Sequence, residues 1–199
     1  MLQLLIRGIK GIWYSCWGRL FAILFYDKRF LTGRWFEGKC KGLCAKGWEW
    51  ITRDVIYRIT KTNTTKARFP VGFNCHILMP ENIIFDPDDL NVFQTFGTYF
   101  QAIGKITIGK GTYIGPNCGL ITANHDLSDL NRHQDPADIV IGKNCWIGMN
   151  SVVLPGVVLG DNTIVGAGSV VTHSFPEGFC IIAGTPAKTI KNRPTPNTI

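Results

Sequence analysis

From Ile141 to Pro176 the apolar positions recur every six residues. Cut into sixes, the stretch reads IGKNCW, IGMNSV, VLPGVV, LGDNTI, VGAGSV and VTHSFP. Ile141, Ile147, Val153, Leu159, Val165 and Val171 open successive units, and Gly142, Gly148, Gly160 and Gly166 follow four of the openers. Cys145, Ser151, Val157, Thr163 and Ser169 put a small side chain at the fifth place. This is neither a helix period nor a plain strand alternation. Units so short cannot bury an apolar face alone and must stack on one another, which is the pattern of a parallel β-helix.

The register extends beyond this run. Residues 108–125 supply three more units, IGKGTY, IGPNCG and LITANH. Counting back by sixes from Ile108 gives Ala102, Phe96, Leu90, Ile84 and Leu78, but glycine rarely follows. Distorted coils are therefore expected here, since the end repeats of such arrays are atypical. Phe93, Phe96, Tyr99 and Phe100 give this part an aromatic lining suited to core or to an acceptor pocket. Between the well-formed runs, residues 126–138 (DLSDLNRHQDPAD) are polar and hold no opener. The coil is too narrow to enclose them, so they must loop out, and loops on rigid scaffolds are where function tends to sit. After Pro176 come turn signals at Gly184 and Pro186, then a basic end, Lys188, Lys191 and Arg193. The final PTPNTI reads as a frayed tail.

The first residues follow a different rhythm. Leu2, Ile6, Ile9, Trp13, Trp17, Leu20 and Leu24 recur at threes and fours, which predicts a helix over 2–26. Its opposite face is small (Gly8, Gly11, Ser15, Gly18, Ala22), so another helix or a lipid headgroup layer could approach closely. Arg7, Lys10 and Arg19 break the apolar run too often for a membrane span or a signal peptide. KTNTTKAR (61–68) reads as a connector. The chain thus divides into a helical region at 1–68, a β-helix domain at 69–176 and an extension at 177–199.

Charge sharpens that division. Residues 1–70 hold fourteen Lys and Arg against four Asp and Glu; residues 71–199 hold seven against ten. The basic excess belongs to the first third, so no nucleic-acid footprint covers the main domain. Trp13, Trp17, Trp35, Trp48 and Trp50 mingle with Arg34, Lys39, Lys41, Lys46 and Arg53. That mixture suits an anionic membrane interface, which residues 1–50 would bind, or equally a helical cap on the coil or on a neighbouring subunit. The seven cysteines are an odd set; Cys118 and Cys145 at fifth places read as small buried residues in a reducing compartment. Cys40 and Cys44 have no second ligand pair, so no metal site is expected.

The chemistry centres on His125, which ends the last unit before the loop. Imidazole is the side chain suited to proton exchange near neutral pH, and a strand-held histidine at a loop root is well placed as a general base. ITANHD (121–126), IGKNCWIG (141–148), LPGV (154–157), LGDNTIVGAGSVVT (159–172) and AGTPAK (183–188) resemble the hexapeptide-repeat acetyltransferases. The likeness is to the maltose, galactoside, nodulation and polysaccharide O-acetyltransferases, and it spans residues 103–191. It implies a mostly β fold: a left-handed parallel β-helix with an α-helical N-terminal segment and a protruding loop at 126–138. The left hand comes from the resemblance alone, since parallel crossovers are otherwise right-handed.

The resemblance further implies a homotrimer with acetyl-CoA in the cleft between subunits. It makes His125 the base that takes the acceptor hydroxyl's proton, with direct transfer from the thioester. Trp146, Gly148 and Ala167 match positions along the cofactor's pantetheine arm. Thr172, Lys188 and Lys191 match those around its nucleotide phosphate, where cations suit an anion. His173 stands where lysine is common in the family. An asparagine that many members use to hold the acceptor is replaced by Thr95, beside Gln94. Gln94, Thr95 and His133 are the substrate-binding candidates.

The expected activity is acetyl-CoA-dependent O-acetylation of a saccharide hydroxyl. A glycan or lipid-linked acceptor is favoured, with the enzyme in the cytoplasm and its first third against the inner membrane face. N-acetylation of an amino sugar is the near alternative, and a non-catalytic β-helix scaffold is the alternative of another class. A γ-type carbonic anhydrase would need three converging histidines, and only His125 and His133 are near each other in sequence.

Overall fold

The computed structural model describes residues 2–37, 45–63 and 65–194, with side chains from Gly8 onward. Lys39, Cys40, Lys41, Cys44, the side chains of Leu2, Ile6 and Arg7, and the tail after Pro194 lie outside the described residues.

The hexads build a three-sided coil. One sheet orders β1 (His76–Ile77), β3 (Tyr99–Phe100), β6 (Gly119–Leu120), β9 (Val152–Val153) and β12 (Val170–Val171). The second orders β2 (Ile83–Phe85), β4 (Ile106–Ile108), β7 (Ile139–Ile141) and β10 (Val158–Leu159). The third orders β5 (Tyr113–Ile114), β8 (Trp146–Ile147), β11 (Ile164–Val165), β13 (Cys180–Gly184) and β14 (Ala187–Asn192). All pairings are parallel except β13 with β14. These sheets are called here A, B and C; the chain visits them in that order, and each corner is named by the sheets it joins.

Each place in the hexad has one physical job. The openers Ile141, Ile147, Val153, Leu159, Val165 and Val171 end their strands and are buried. Burying such a side chain contributes roughly 1.5–3 kcal/mol. The fifth-place residues Cys145, Ser151, Val157, Thr163 and Ser169 are buried as well. Ser151, Thr163 and Ser169 satisfy their hydroxyls on second-place carbonyls, as Ser151 does on Gly166 O at 3.0 Å. The second place admits no side chain at Gly148, because a Cβ there would lie 2.6 Å from Ala167 N in the next coil. The fourth place turns the corner with positive φ at Asn144, Asn150, Gly156, Asn162 and Gly168. Asn and Gly tolerate that conformation best.

The backward count by sixes fails in part. Coils do continue to His76, but Leu78, Ile84 and Phe96 are exposed. Ile77, Ile83 and Phe100 take the inward positions instead. Longer corners slip the register, and a 3-10 segment, Pro87–Gln94, occupies the level below β5. Phe93 and Phe100 are core; Phe30, Phe69, Phe85 and Phe93 close the coil's first end, with Phe30 stacked on Phe85 at 5.1 Å. After the turn at Gly184 and Pro186, the basic end Ala187–Asn192 folds back as β14 on β13.

The helical region is a hairpin of α1 (Leu2–Phe25) and α2 (Lys46–Ile59). The small face of α1 packs on α2: Ser15, Gly18 and Ala22 are buried, and a Cβ on Gly18 would lie 2.7 Å from Trp48 O. The large apolar face is left outside, with Ile9, Ile12, Trp13, Trp17, Leu20, Ile23 and Leu24 exposed. No described helix is long and apolar enough to cross a membrane.

A buried carboxylate seats this hairpin. Asp54 is fully buried; Tyr26 Oη donates to its Oδ2 at 2.8 Å, and Arg58 donates through Nε at 3.1 Å and Nη2 at 2.8 Å. Arg58 also reaches Ala67 O at 2.8 Å, tying α2 to the segment that enters the coil. Burial, reinforced by Asp54, pushes the Tyr26 phenol well above its ordinary pKa, so it stays a donor. Arg58→Ala leaves the buried charge unpaired. We expect a loss of about 3 kcal/mol in urea unfolding, near the low end because the guanidinium is partly solvated. A loss below about 1 kcal/mol would show that the hairpin is seated by its apolar contacts alone.

Candidate active site

The 126–138 loop leaves the A–B corner between β6 and β7 and returns as a small hairpin. His125 and His133 form an antiparallel bridge, Asp126 N donates to Arg132 O at 2.9 Å, and Gln134 N donates to Asn124 O at 2.8 Å. The loop's exit is held by Ala137 N on Thr122 O at 2.8 Å and by Lys105 N on Asp138 Oδ1 at 2.8 Å. Its entry is pinned by Gln101, whose Oε1 accepts from Thr122 N at 2.9 Å and Ala123 N at 2.8 Å. Asp126 closes the first turn by accepting from Ser128 N at 2.7 Å and Oγ at 2.6 Å. Those bonds, the hydroxyl's first, hold its carboxyl below the ordinary range.

His125 is exposed at this root, and its Nδ1 lies 2.8 Å from Leu130 O. A carbonyl only accepts, so the hydrogen sits on Nδ1 and Nε2 carries the free lone pair. The His133 ring lies against it, centroids 4.4 Å apart and 32° between planes. The imidazole is thus fixed by a backbone carbonyl on one edge and a ring on one face, with a proton-accepting nitrogen left over. Thiol chemistry has no comparable group here: Cys118 donates to Gly148 O at 3.1 Å, and burial pushes its pKa up.

The other candidates divide between two edges. Thr172 shares the A–B corner with His125 and lies 3.2 Å, through Oγ1, from His173 Nδ1. Gly148 and Ala167 sit stacked at the C–A corner. Trp146 stands exposed on the outward side of sheet C, in register with Ile164, Ile181 and then Lys191. Lys188 faces Ala183 beside the same corner. Gln94 and Thr95 lie at the C–A corner of the first coil, and both side chains are engaged. Gln94 Nε2 donates to Pro70 O at 2.8 Å, and Thr95 Oγ1 donates to Val92 O at 2.8 Å. One chain therefore brings His125, His133 and Thr172 to one edge, and Trp146, Gly148, Ala167, Lys188, Lys191, Gln94 and Thr95 to another edge and its adjoining face.

Two contributors carried no sequence signal. Leu130 acts through its carbonyl, so its side chain says nothing of the role. Gln101 reads as an ordinary polar residue, and only the stacking of β3 below β6 brings its amide to the root of His125. Among the described residues no three His, Cys, Asp or Glu groups stand close enough to share a metal ion.

Residues 138–173 match the family model described as bacterial transferase hexapeptide (six repeats). The chain is 36% identical over 187 residues to the putative colanic acid biosynthesis acetyltransferase WcaF of Escherichia coli, covering 94% of this chain and 91% of that protein. It is 38% identical over 178 residues to the galactoside O-acetyltransferase of Escherichia coli, covering 82% of this chain and 87% of the relative. A match to a putative acetyltransferase of Schizosaccharomyces pombe, 36% identical over 126 residues, covers 62% of this chain and only 55% of that protein. The chain thus spans little more than half of that longer relative.

The bond to Leu130 makes a spectroscopic prediction. Long-range 1H–15N correlation of the neutral imidazole should report the Nδ1–H tautomer for His125. An Nε2–H tautomer would leave no base facing outward.

Proposed function

The chain belongs to the bacterial hexapeptide-repeat transferases, and we propose that it transfers an acetyl group from acetyl-CoA to a saccharide hydroxyl. The observation that carries this reading is the exposed His125 at a loop root, with Nδ1 committed to Leu130 O and Nε2 without a partner among the described residues. Nε2 takes the proton as the hydroxyl oxygen bonds to the thioester carbonyl carbon. The carbon–sulfur bond breaks, the imidazolium returns the proton to the leaving thiolate, and the products are the acetyl ester and coenzyme A. No covalent enzyme intermediate is needed, in keeping with the buried, protonated Cys118. The O-acetyl and polysaccharide assignments rest on the relatives named above.

The residues present suit the cofactor. Trp146 offers an exposed ring, the Gly148–Ala167 corner offers backbone without bulk, and Lys188 and Lys191 are exposed cations at the coil's far end. Thr172 lies on the other edge, so a complete site needs the A–B edge of one copy beside the C–A edge of another. That division supports a homotrimer with acetyl-CoA between subunits. Exposed Leu127 and Leu130 on the loop give such a neighbour apolar contacts. Gln94, Thr95 and His133 are assigned to the acceptor.

We further assign α1 to an anionic membrane surface at the cytoplasmic face of the inner membrane. Its exposed stripe holds Trp13 and Trp17, and helical spacing puts Lys10 and Arg19 on its two margins. An apolar face flanked by cations is the design of a helix lying in the headgroup layer. The described buried cysteines, none of them paired, suit a reducing compartment.

Two measurements test these assignments. His125→Ala should lower kcat for acetylation of a galactoside acceptor by about 10²–10⁴-fold, with little change in KM for acetyl-CoA. A loss under tenfold would remove the base mechanism, and faster transfer to an amino sugar's nitrogen would favour N-acetylation. In flotation, the full chain should rise with phosphatidylglycerol-rich vesicles, and Trp13→Glu/Trp17→Glu should abolish this. Equal flotation of that variant would place the stripe against protein instead.

A further inference from the structure

A cavity of about 450 Å³ opens where the helical hairpin meets the first coil, and none of the roles above uses it. Its floor is the edge strand of sheet B, β2, with the Phe30, Phe69 and Phe85 rings packed beside it at centroid distances of 5.0–5.2 Å. Ile84, outward on that strand and exposed, adds an apolar wall. One side is the segment after α1, Asp27 to Phe30; the other is Lys66 to Phe69, and the two are joined by Asp27 N donating to Arg68 O at 2.8 Å.

The rim is basic. Arg29, Lys66 and Arg68 border the cavity, against Asp27 and Glu81. Asp27 is already engaged by Arg29 at 2.8 Å. Lys66 and Arg68 are exposed and make no side-chain hydrogen bond or ion pair among the described residues. These two exposed cations, Arg68 also within electrostatic reach of the Asp27 carboxylate, stand over an aromatic and aliphatic floor, a lining that suits a phosphate-bearing molecule with an apolar or flat neighbouring group.

The location ties the cavity to the reacting edge. Pro80 and Glu81, in its lining, belong to the A–B corner of the first coil, and the His125 loop leaves the same corner at the third coil. β2, β4 and β7 are successive neighbours, so the two levels are about 10 Å apart along the sheet. The corner between them is braced: Asn82 Nδ2 donates to Ala102 O at 2.9 Å and Ile103 O at 3.0 Å, and Gly104 N donates to Thr122 Oγ1 at 3.0 Å. A phosphate joined to one or two sugar rings spans that interval.

We propose that this cavity is an acceptor subsite that holds the diphosphate of a diphosphate-linked saccharide, while the sugar extends along the A–B corner towards His125. This rests on the acetyl-transfer reading and narrows its acceptor class. Two sources share this chemistry: a prenyl diphosphate, whose first isoprene units would lie on the Phe30–Phe85 floor, and a nucleoside diphosphate, whose base would. The lining begins at Asp27, just after α1 ends at Phe25, and its floor is aromatic and aliphatic, which suits the prenyl source.

The test is titration calorimetry on the full chain with geranyl diphosphate and with uridine diphosphate, both under saturating coenzyme A so that its own phosphate contacts are filled. We expect geranyl diphosphate to bind and Lys66→Ala/Arg68→Ala to weaken it at least tenfold. Ile84→Glu, which sets a carboxylate in the wall at an exposed position, should do the same. Stronger binding of uridine diphosphate, with the same sensitivity to both variants, would keep the subsite and assign it to a nucleotide-linked sugar. Binding of neither compound, or binding indifferent to both variants, would overturn the proposal. Acetyl transfer to free galactosides, measured in parallel, separates the two readings. Transfer without diphosphate binding removes only the subsite, and binding without any transfer to free or diphosphate-linked sugars removes the activity.

Discussion

A strand of two residues makes too few hydrogen bonds and buries too little surface to exist alone. Everything in this molecule depends on the contact between one coil and the next. Ile147 is buried because Ile114 and Val165 lie above and below it, and each of those is buried for the same reason. The close approach that makes this possible leaves no space for a second-place side chain at Gly148. The repeat is therefore a rule about spacing before it is a rule about hydrophobicity.

That rule explains what was legible in the sequence. Where coils stack without insertion, from Ile139 to Val171, the openers and fifth-place residues read directly as core. Where corners lengthen, as before Ile106, the count by sixes still predicts a coil and finds the buried Leu90 and Ala102, but Leu78, Ile84 and Phe96 face outward. The fourth-place Asn and Gly residues, missing only from the units that open at Leu120 and Val171, were a further signal, and their meaning is conformational rather than chemical. The hand of the coil is not encoded in any pattern of polarity; it came only with family likeness.

The site was half legible. His125 stood out because it ends a regular unit beside an irregular loop. Its partner did not, since a backbone carbonyl leaves no trace in residue identity. Which face of α1 packs inward also could not be read from hydrophobicity, because α2 takes the small stripe and leaves the tryptophans outside. Close backbone approach decides that packing, as it decides the coil. The separation of His125 from Trp146 and Ala167 depends on which corner each hexad reaches, a three-dimensional count that a linear repeat does not display.

The bond from His125 to Leu130 O has a bearing on how such a loop can diverge. A base oriented by a carboxylate side chain is lost when that one residue changes. A base oriented by a main-chain carbonyl survives substitution of the residue that supplies it, so long as the turn keeps its path. Residues at the tip, such as Leu127 and Leu130, are then free to vary under selection for a new acceptor or neighbour, while the proton-accepting nitrogen keeps its aim. The loop separates heritable change in specificity from change in chemistry, and one scaffold can be diversified without first being disarmed.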